Sequence, residues 1–376
     1  MSYPLKKLSE ILSKEKFSIW KIKTKEYLES WDFPVIDQWK NLVSWYWNDE
    51  KLVYTWKLPV LVYWDHTNSL KFVDFPFIAW ADWIKVLSFN NNCDIKFCYY
   101  LIENFKPVTQ GYRRHYSFFK DINLPLPPLP TQKAIVQKLD EAFARIDASI
   151  ELAEKNLKGL EEMNASVLEE VFGSGEYEEK TLSEVTEKIT DGSHNPPKWI
   201  EKGIPMISSR NLEMNDINFD NIRYISDEDY IKENKRTDVQ EWDILLSIVW
   251  TIWKVCVVKK EFWKFTMQRS LAVVKLKQEK LFPMYVYYYF CSELLQKILN
   301  DWANWAAQKW IYLNQLKQIK IPLPPLSKQK EIVEYLDRVF AVNAELKGAY
   351  EEKIQSLKEL KQSLLREAFE GRLVKE

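Results

Sequence analysis

The sequence predicts an α+β fold in which two strand-rich mixed domains are separated by two long antiparallel coiled-coil helices, with an internal pseudo-twofold duplication. Three observations lead to this prediction. One segment of about fifty residues occurs twice without a gap, each copy reads as a proline-rich strap followed by a long helix, and short apolar or β-branched runs fill the regions between the copies. Because the repeat is much longer than the roughly 20–50-residue period of solenoid proteins, it marks two domain-sized halves.

The two copies of the repeated segment align with a constant offset of 197 residues. The first begins Leu124-Pro-Leu-Pro-Pro-Leu-Pro-Thr-Gln-Lys-Ala-Ile-Val and continues to Phe172, and the second begins Ile321-Pro-Leu-Pro-Pro-Leu-Ser-Lys-Gln-Lys-Glu-Ile-Val. Consecutive prolines fix φ and remove backbone donors, so each strap should be extended. The hydroxyls of Thr131 and Ser327 are suited to first-turn N–H groups, which makes these residues the predicted N-caps of the two helices.

Apolar residues in the first helix recur at alternating steps of four and three, which is the spacing of a coiled-coil seam. Asn164 fills the one gap in this seam, and the second copy is less regular because Asn343, Lys347 and Lys361 replace seam residues. The two helices are predicted to pair with each other, antiparallel, as a spacer roughly 60 Å long at about 1.5 Å per residue. The predicted helix and subunit interface consists of Ile146, Ile150, Leu157, Leu160, Asn164, Phe340, Ile354, Leu357 and Leu364.

The repeats divide the chain into a first strand-rich domain (1–123), a strap and helix (124–175), a second strand-rich domain (176–320) and a second strap and helix (321–376). The second domain repeats the plan of the first, since Ile204-Pro-Met-Ile matches Phe33-Pro-Val-Ile, and its late helix is predicted at Met284–Leu299. Two domains that share a fold plan but differ in their surface residues are typical of two recognition domains on a shared scaffold. The predicted elements of the first domain are strands at Phe33–Ile36, Leu52–Thr55, Pro59–Tyr63 and Lys85–Leu87 and a helix near Ile95–Glu103.

Composition excludes several classes of protein. No apolar run approaches the roughly 20 residues needed to span a membrane, and the N-terminus lacks the apolar core of a signal peptide. The four cysteines form no CxxC pair and only three histidines occur, so a structural metal site is not expected and a reduced cytoplasmic setting is. The net charge of −1 does not by itself indicate nucleic acid, so any nucleic-acid surface must be local.

Glycine is scarce in this chain and tryptophan is common. The 8 Gly and 17 Trp together make 25 of 376 residues, which is close to the usual glycine content of about 7%. Several tryptophans stand where glycine chemistry is expected, as at Trp242 before Asp243, at Trp250 and Trp253 in a turn, and at Trp305 in a polar loop. The hypothesis is that many of these residues are UGA codons that the source organism reads as glycine. It predicts positive φ or exposed rings at such turns.

The chain resembles the DNA specificity subunit of type I restriction–modification systems over essentially its whole length. The resemblance rests on the two straps and on four further motifs, Asp191-Gly-Ser-His, Trp242-Asp-Ile-Leu-Leu-Ser-Ile-Val-Trp-Thr-Ile-Trp-Lys, Met267-Gln-Arg-Ser and Gln308-Lys-Trp-Ile-Tyr-Leu-Asn. It implies two target-recognition domains, each reading one half of a split site in double-stranded DNA. It further implies that the helices dock two methyltransferase (modification) subunits, and that restriction (translocase/nuclease) subunits join through the complex.

No catalytic residue, cofactor or metal is expected in this chain, which the resemblance identifies as the non-catalytic subunit of a methyltransferase/endonuclease complex. Asn195-Pro-Pro-Lys resembles a loop of adenine methyltransferases, but lysine replaces the stacking aromatic residue. Phe172-Gly-Ser-Gly faintly resembles a cofactor-binding glycine turn, but it lies at the end of a long helix and no strand precedes it. Glycine at the end of a helix usually serves to stop the helix. The class that remains as an alternative is a coiled-coil scaffold protein that binds no DNA.

Polar clusters in predicted loops are the candidate DNA contacts, because guanidinium and amide groups read base edges. Lys232–Arg236 is interpreted as a charged surface turn. The candidates in the first domain are Asp65, His66, Thr67, Gln110, Arg113, Arg114 and His115. The candidates in the second domain are Ser193, His194, Ser208, Arg210, Asn211, Lys254, Gln268, Arg269, Gln308 and Lys309.

Overall fold

The structure is a computed structural model that describes residues 3–13, 32–39, 41–79, 84–106, 115–116, 120–249, 254–262, 264–304 and 310–374. The chain forms two compact units, one of residues 1–154 with 351–376 and the other of residues 155–350. Each unit therefore combines one strand-rich domain with the opening part of one long helix and the closing part of the other. No helix of the described ranges is long and apolar enough to cross a membrane.

The first domain is built on two small sheets. Its elements, with the first long helix, are β1 Leu5–Lys7, α1 Leu8–Ile11, β2 Phe33–Ile36, β3 Trp45–Trp47, a 3₁₀ turn Glu50–Leu52, β4 Val60–Trp64, β5 Ser69–Val73, β6 Ile78–Ala79, β7 Ile84–Leu87, α2 Ile95–Phe105, β8 Asn123–Pro125 and the long helix α3 Leu129–Phe172. One sheet is antiparallel with the order β5–β4–β7, and the other has the order β3–β2–β6, in which β2 and β6 are parallel. The strap strand β8 pairs with β1.

The second domain repeats this connectivity. Its elements, with the second strap and long helix, are β9 Glu179–Thr181, α4 Leu182–Val185, β10 Thr186–Asp191, β11 Ile204–Ile207, β12 Leu212–Glu213, β13 Asp216–Ile217, β14 Arg223–Ile225, α5 Asp227–Thr237, β15 Ile244–Ser247, β16 Val255–Val257, β17 Thr266–Met267, β18 Leu271–Leu276, α6 Pro283–Cys291, α7 Glu293–Asn304, α8 Leu313–Gln318, β19 Lys320–Pro322 and the long helix α9 Leu326–Phe369. The sheet β16–β15–β18 corresponds to β5–β4–β7, the sheet β14–β11–β17 corresponds to β3–β2–β6, and β10 adds a further strand beside β18.

Most predicted elements occur close to their predicted bounds. The predicted strand Leu52–Thr55 is wrong, because a 3₁₀ turn occupies its start and only Tyr54 makes an isolated bridge. The predicted late helix Met284–Leu299 is two helices, because the chain leaves the helical conformation at Ser292.

The two long helices have 44 residues each; the first begins two residues before its predicted N-cap and the second begins one residue before its predicted N-cap. The carbonyls of Pro128 and Pro325 accept hydrogen bonds from the first-turn N–H groups of Gln132 and Gln329. Proline is tolerated in a first helical turn because its missing N–H would have no partner there. The N-caps predicted at Thr131 and Ser327 are therefore wrong, since both residues lie inside the helices.

Within each unit the two helix segments run antiparallel. In one unit, the Asn156 side chain bonds the Tyr350 hydroxyl at 3.1 Å and the Asn164 side chain accepts from Asn343 at 2.6 Å. In the other, Lys361 pairs with Asp147 at 2.5 Å. Of the predicted interface residues, Ile146 and Ile354 are buried, and the half-buried ones are Ile150, Leu157, Leu160, Asn164, Phe340, Leu357 and Leu364.

Each domain packs its core against the long helices. In the first unit the ring of Phe97 in α2 meets that of Phe369 at 5.6 Å, and in the second the ring of Phe172 meets that of Tyr285 in α6 at 5.2 Å. Phe340 belongs to this packing, since its ring lies 5.4 Å from that of Tyr288. The strap and the helix ends therefore continue the domain cores.

One buried glutamine in each copy fastens the strap to the domain. The side chain of Gln132 accepts from the backbone N–H of Asp94 at 2.8 Å and donates to the carbonyls of Asn92 and Pro127. Gln329 makes the same three kinds of bond in the second copy, and both side chains are fully buried. This duplicated contact ties the start of each long helix to the N-terminal end of α2 or α6.

Candidate nucleic-acid interface

Three segments of the second domain that contain candidate residues lie side by side. The Ser193 N–H donates to the Met267 carbonyl at 2.8 Å, and the Arg269 N–H donates back to the Ser193 carbonyl at 2.9 Å. The Gln268 N–H donates to the carbonyl of Ile207, the last residue of β11, at 2.9 Å. The Asp191-Gly-Ser-His and Met267-Gln-Arg-Ser motifs therefore adjoin the loop that carries Ser208, Arg210 and Asn211.

Gly192 is what permits the first of these contacts. A Cβ atom at position 192 would lie 2.1 Å from the Met267 carbonyl oxygen. No side chain fits at that distance, so only glycine allows the two motifs to approach this closely.

His194 is held in place by Asp191 at the end of β10. Its Nε2 atom lies 2.8 Å from a carboxylate oxygen of Asp191, and the other carboxylate oxygen accepts from the Arg236 guanidinium. The Asp191 side chain is 8% exposed whereas that of His194 is 46% exposed. The prediction of a charged surface turn at Lys232–Arg236 is correct about exposure for most of these residues but wrong about the turn, because they belong to α5, and Arg236 contacts Asp191 rather than His194.

The same region contains a polar cleft of about 680 Å³. Its walls come from the loop after β11, the Asn-rich segment between β13 and β14, and the Met267–Ser270 motif. The lining residues are Met206, Ser208, Ser209, Arg210, Asn211, Asn218, Asp220, Asn221, Arg223, Gln268 and Ser270.

Part of this lining forms a fixed frame. The Asn211 amide oxygen accepts from the Ser208 N–H and hydroxyl at 3.1 Å, and its NH₂ group donates to the Asn218 carbonyl at 3.2 Å. The Ser270 hydroxyl accepts from the Ser209 N–H at 3.0 Å. Asn211 and Ser208 therefore hold the loop in shape, and their side chains are less free to meet a ligand than predicted.

Two further candidates do not line this cleft, although Arg269 lies between the lining residues Gln268 and Ser270 in the chain; the second is Lys254. The Arg269 guanidinium stacks 5.2 Å from the ring centre of Trp310, which in turn stacks on Tyr312. The Lys254 N–H donates to the Ser247 hydroxyl at 3.2 Å, which places Lys254 at the loop end of the β15–β16 hairpin. An exposed, planar cation is suited to phosphate or base contact.

In the first domain, Asp65, His66 and Thr67 form the tip of the β4–β5 hairpin. The Asp65 carboxylate accepts from the Tyr116 N–H at 2.7 Å, and the Asp65 carbonyl accepts from the His115 N–H at 3.2 Å. Asp65 is buried and positions the hairpin, whereas Thr67 is exposed. His115 is also buried, and its Nε2 atom has no hydrogen-bond partner among the described residues.

Five candidate residues lie outside the described residues, namely Gln110, Arg113, Arg114, Gln308 and Lys309. Seven lining residues of the cleft are not among the predicted candidates, and four of them, Asn218, Asp220, Asn221 and Arg223, come from one segment in which no candidate was predicted. The available signal was the run of Asn and Asp at 215–221, and Asn215 and Asn221 indeed adopt positive φ. The described ranges contain no group of three or more His, Cys, Asp or Glu that could hold a metal ion.

Comparison with known proteins shows the family. The model of the type I restriction modification DNA specificity domain matches residues 2–162 and 174–356. The type I restriction enzyme EcoBI specificity subunit of Escherichia coli is 25% identical over 282 residues, which cover 68% of this chain and 59% of that relative. The type I restriction enzyme EcoR124I/EcoR124II specificity subunit of Escherichia coli is 25% identical over 362 residues, which cover 88% of this chain and 85% of that relative.

A solved structure shows the same fold. In work on complex assembly and conformational transition of the type I R-M system, one chain matches with a TM-score of 0.71 at 18% identity, covering 99% of this chain and 98% of that chain. The duplicated plan described above thus has a structural relative along its full length. Since the family model matches both domains and most of both long helices, the chain belongs to the type I restriction modification DNA specificity domain family.

Proposed function

We propose that this chain is the DNA specificity subunit of a type I restriction–modification complex, in which each domain reads one half of a split double-stranded DNA site. The observation that carries the proposal is the cleft of the second domain, where a guanidinium and side-chain amides from separate segments converge. Such groups hydrogen-bond to base edges in the major groove. The proposed target-recognition domains are residues 1–123 and 176–320.

The chain is non-catalytic in this proposal, and its partners supply the chemistry. The paired long helices set the distance between the half-sites and dock two methyltransferase (modification) subunits, which restriction subunits then join. One pair of side chains supports two equivalent docking positions. Met163 and Leu360 are counterparts at the offset of 197, and both are apolar and exposed, at 42% and 46%. Exposed apolar side chains at matching places on both copies are suited to protein contacts.

Methylation mapping tests the proposal. Cells would express the chain with its modification subunit, and the methylated sites of their genome would be sequenced. We expect a split motif that disappears when the chain is deleted and that changes in one half only for Arg210→Ala. Gln355→Ala, on the exposed face of α9, is the matched control and should leave the motif unchanged. No motif, with expression and partner binding confirmed, would favour a scaffold that binds no DNA.

The helices are proposed to act as a ruler, because duplicated rigid elements connect the two domains in the chain. Inserting residues into α3 should change the spacer length and leave both half-site sequences unchanged. Altered half-sites with an unchanged spacer would refute this role.

We also propose that several tryptophans of this sequence are glycines in the native protein. Trp242 has φ of 74°, in the left-handed region that bulky residues rarely adopt, and its ring is 43% exposed. Trp39 and Trp56 are 64% and 74% exposed. Trp64 argues against a complete replacement, since its ring is 1% exposed. Trp250, Trp253 and Trp305 lie outside the described residues.

Peptide mass spectrometry of the protein from its own organism decides this proposal. Glycine at position 242 would support it, and tryptophan at every one of the 17 positions would refute it.

A further inference from the structure

Five charged or amide side chains of the cleft have no hydrogen bond or ion pair within the described part of the chain: Arg210, Asp220, Asn221, Arg223 and Gln268. Their neighbours Ser208, Asn211, Asn218 and Ser270 are already bonded to the loop itself. The cleft therefore consists of a frame whose side chains are hydrogen-bonded and a second set of two cations, one anion and two amides, in which the Arg223 guanidinium lies 5.0 Å from the ring centre of Trp199. Unpaired polar groups that converge on one cleft are the usual mark of a ligand-binding site.

The carboxylate of Asp220 is the member of this set that needs an explanation. A surface that meets DNA faces a dense array of phosphates, and a carboxylate there repels them. The base edges are different, because cytosine presents its N4 amino group as a donor in the major groove and a carboxylate accepts from it. An anion in a DNA-facing cleft is thus favourable against a base and unfavourable against the backbone.

The backbone around Asp220 is held in a defined position. The Asp220 N–H donates to the Asn218 side-chain oxygen at 2.8 Å, and the Asn218 amide donates to Glu213 at 3.0 Å. The Asn211 amide fixes the same turn from the other side through the Asn218 carbonyl. A carboxylate on a fixed turn loses little conformational entropy when it binds, which favours a specific contact over a general one.

We propose that Asp220 is a specificity-determining residue of the second domain, which accepts a hydrogen bond from the N4 amino group of a cytosine, while Arg210 contacts O6 and N7 of the guanine in that pair. The inference rests on the proposed function. It assigns a G·C base pair to the half-site read by the second domain. It also gives Asp220 a second effect, since the carboxylate disfavours binding of the cleft to phosphates.

Selection from a random DNA library tests the assignment, with the full chain bound to its modification subunits. The wild-type complex should require a G·C pair at one position of one half-site. In Asp220→Asn the preference for cytosine there should fall by roughly tenfold, because an amide accepts from or donates to other bases. Arg210→Ala should weaken the guanine preference at the same position.

Glu201→Gln is the matched control, because Glu201 is exposed, lies outside the cleft and loses the same charge. Both variants should raise non-specific affinity slightly, but only Asp220→Asn should change the selected sequence. If the Asp220→Asn complex selects the same sequences as Glu201→Gln, Asp220 is a surface charge and the inference is overturned. If the wild-type complex selects no sequence at all, the proposed function itself fails and the inference fails with it.

Discussion

Replacing the buried strap glutamine of the second copy should be among the most destabilising changes in the chain. Gln329→Ala removes three hydrogen bonds of 2.8 Å, one from the Phe282 N–H and two to the carbonyls of Lys280 and Pro324. The Pro324 contact is fully buried and the other two are partly buried. A buried polar group without a partner costs about 1–3 kcal/mol, so we expect a total loss of about 3 to 5 kcal/mol once the small cavity is included.

The assay is urea unfolding followed by circular dichroism, fitted to two transitions because the chain has two compact units. Gln355→Ala is the matched control on the same helix. Its amide bonds the Glu359 carboxylate at 2.7 Å on the exposed surface, and its loss should cost only about 0.2–0.5 kcal/mol. Gln132→Ala should repeat the result in the first copy. The reasoning is refuted if the free energies of unfolding of Gln329→Ala and of the control differ by less than about 1 kcal/mol.

Three further changes test local features of the second domain. Gly192→Ala should lower the free energy of unfolding by about 1–3 kcal/mol and weaken DNA binding, because the new methyl group would collide with the Met267 carbonyl; thermal unfolding and a binding titration check both. Trp242→Gly should stabilise the domain by about 1 kcal/mol by relieving a positive φ, and Trp56→Gly, at an exposed position without positive φ, should show no such gain in the same thermal assay. Burial raises the pKa of Asp243 above its usual value of 3.8, and the half-buried Lys275, whose ammonium lies 2.7 Å from the carboxylate, only partly offsets this. The contribution of Asp243 to the free energy of unfolding is therefore fully present below pH 3.8 and is lost as the pH rises through the raised pKa. Asp243→Asn should reduce this fall when the free energy of unfolding is measured by urea titration at a series of pH values. A pH profile identical to that of the wild type would contradict the assignment.

The straps and long helices were predictable because local rules determine them. Proline fixes the strap, and a seam of apolar residues free of proline indicates one long helix. The start of the helix was misplaced because the sequence rule favours a hydroxyl at the N-cap, whereas here Pro130 occupies the first turn and the Pro128 carbonyl closes it. The gap at Ser292 was missed because apolar residues continue on both sides of it.

The cleft was only half predictable, for a different reason. Ser208, Arg210 and Gln268 were identified by residue type in predicted loops. Asp220 was not, because the run of Asn and Asp that contains it reads by residue type as an ordinary turn. The antiparallel pairing of β14 with β11 brings this turn beside Ser208 and Arg210. Gln268 reaches the same loop because β11 pairs in parallel with β17, and no local pattern in either strand encodes that choice. Residue type likewise did not reveal that the Asn211 side-chain amide forms its hydrogen bonds within the loop region itself.

The polar contact between the long helices makes the two copies of the repeat unequal. Asn164 pairs with Asn343, but the counterpart of Asn164 at the offset of 197 is Lys361, and the first-copy counterpart of Asn343 is the buried Ile146. If two first-copy helices met in the same antiparallel register, Asn164 would face Ile146 and lose its partner, and two second-copy helices would oppose Asn343 with Lys361. An unpaired buried amide costs about 1–3 kcal/mol at each of the two equivalent positions. Pairing of a first-copy helix with a second-copy helix is therefore favoured over pairing of two identical helices. When the two halves of the chain are produced separately, they should form the mixed pair in preference to homodimers.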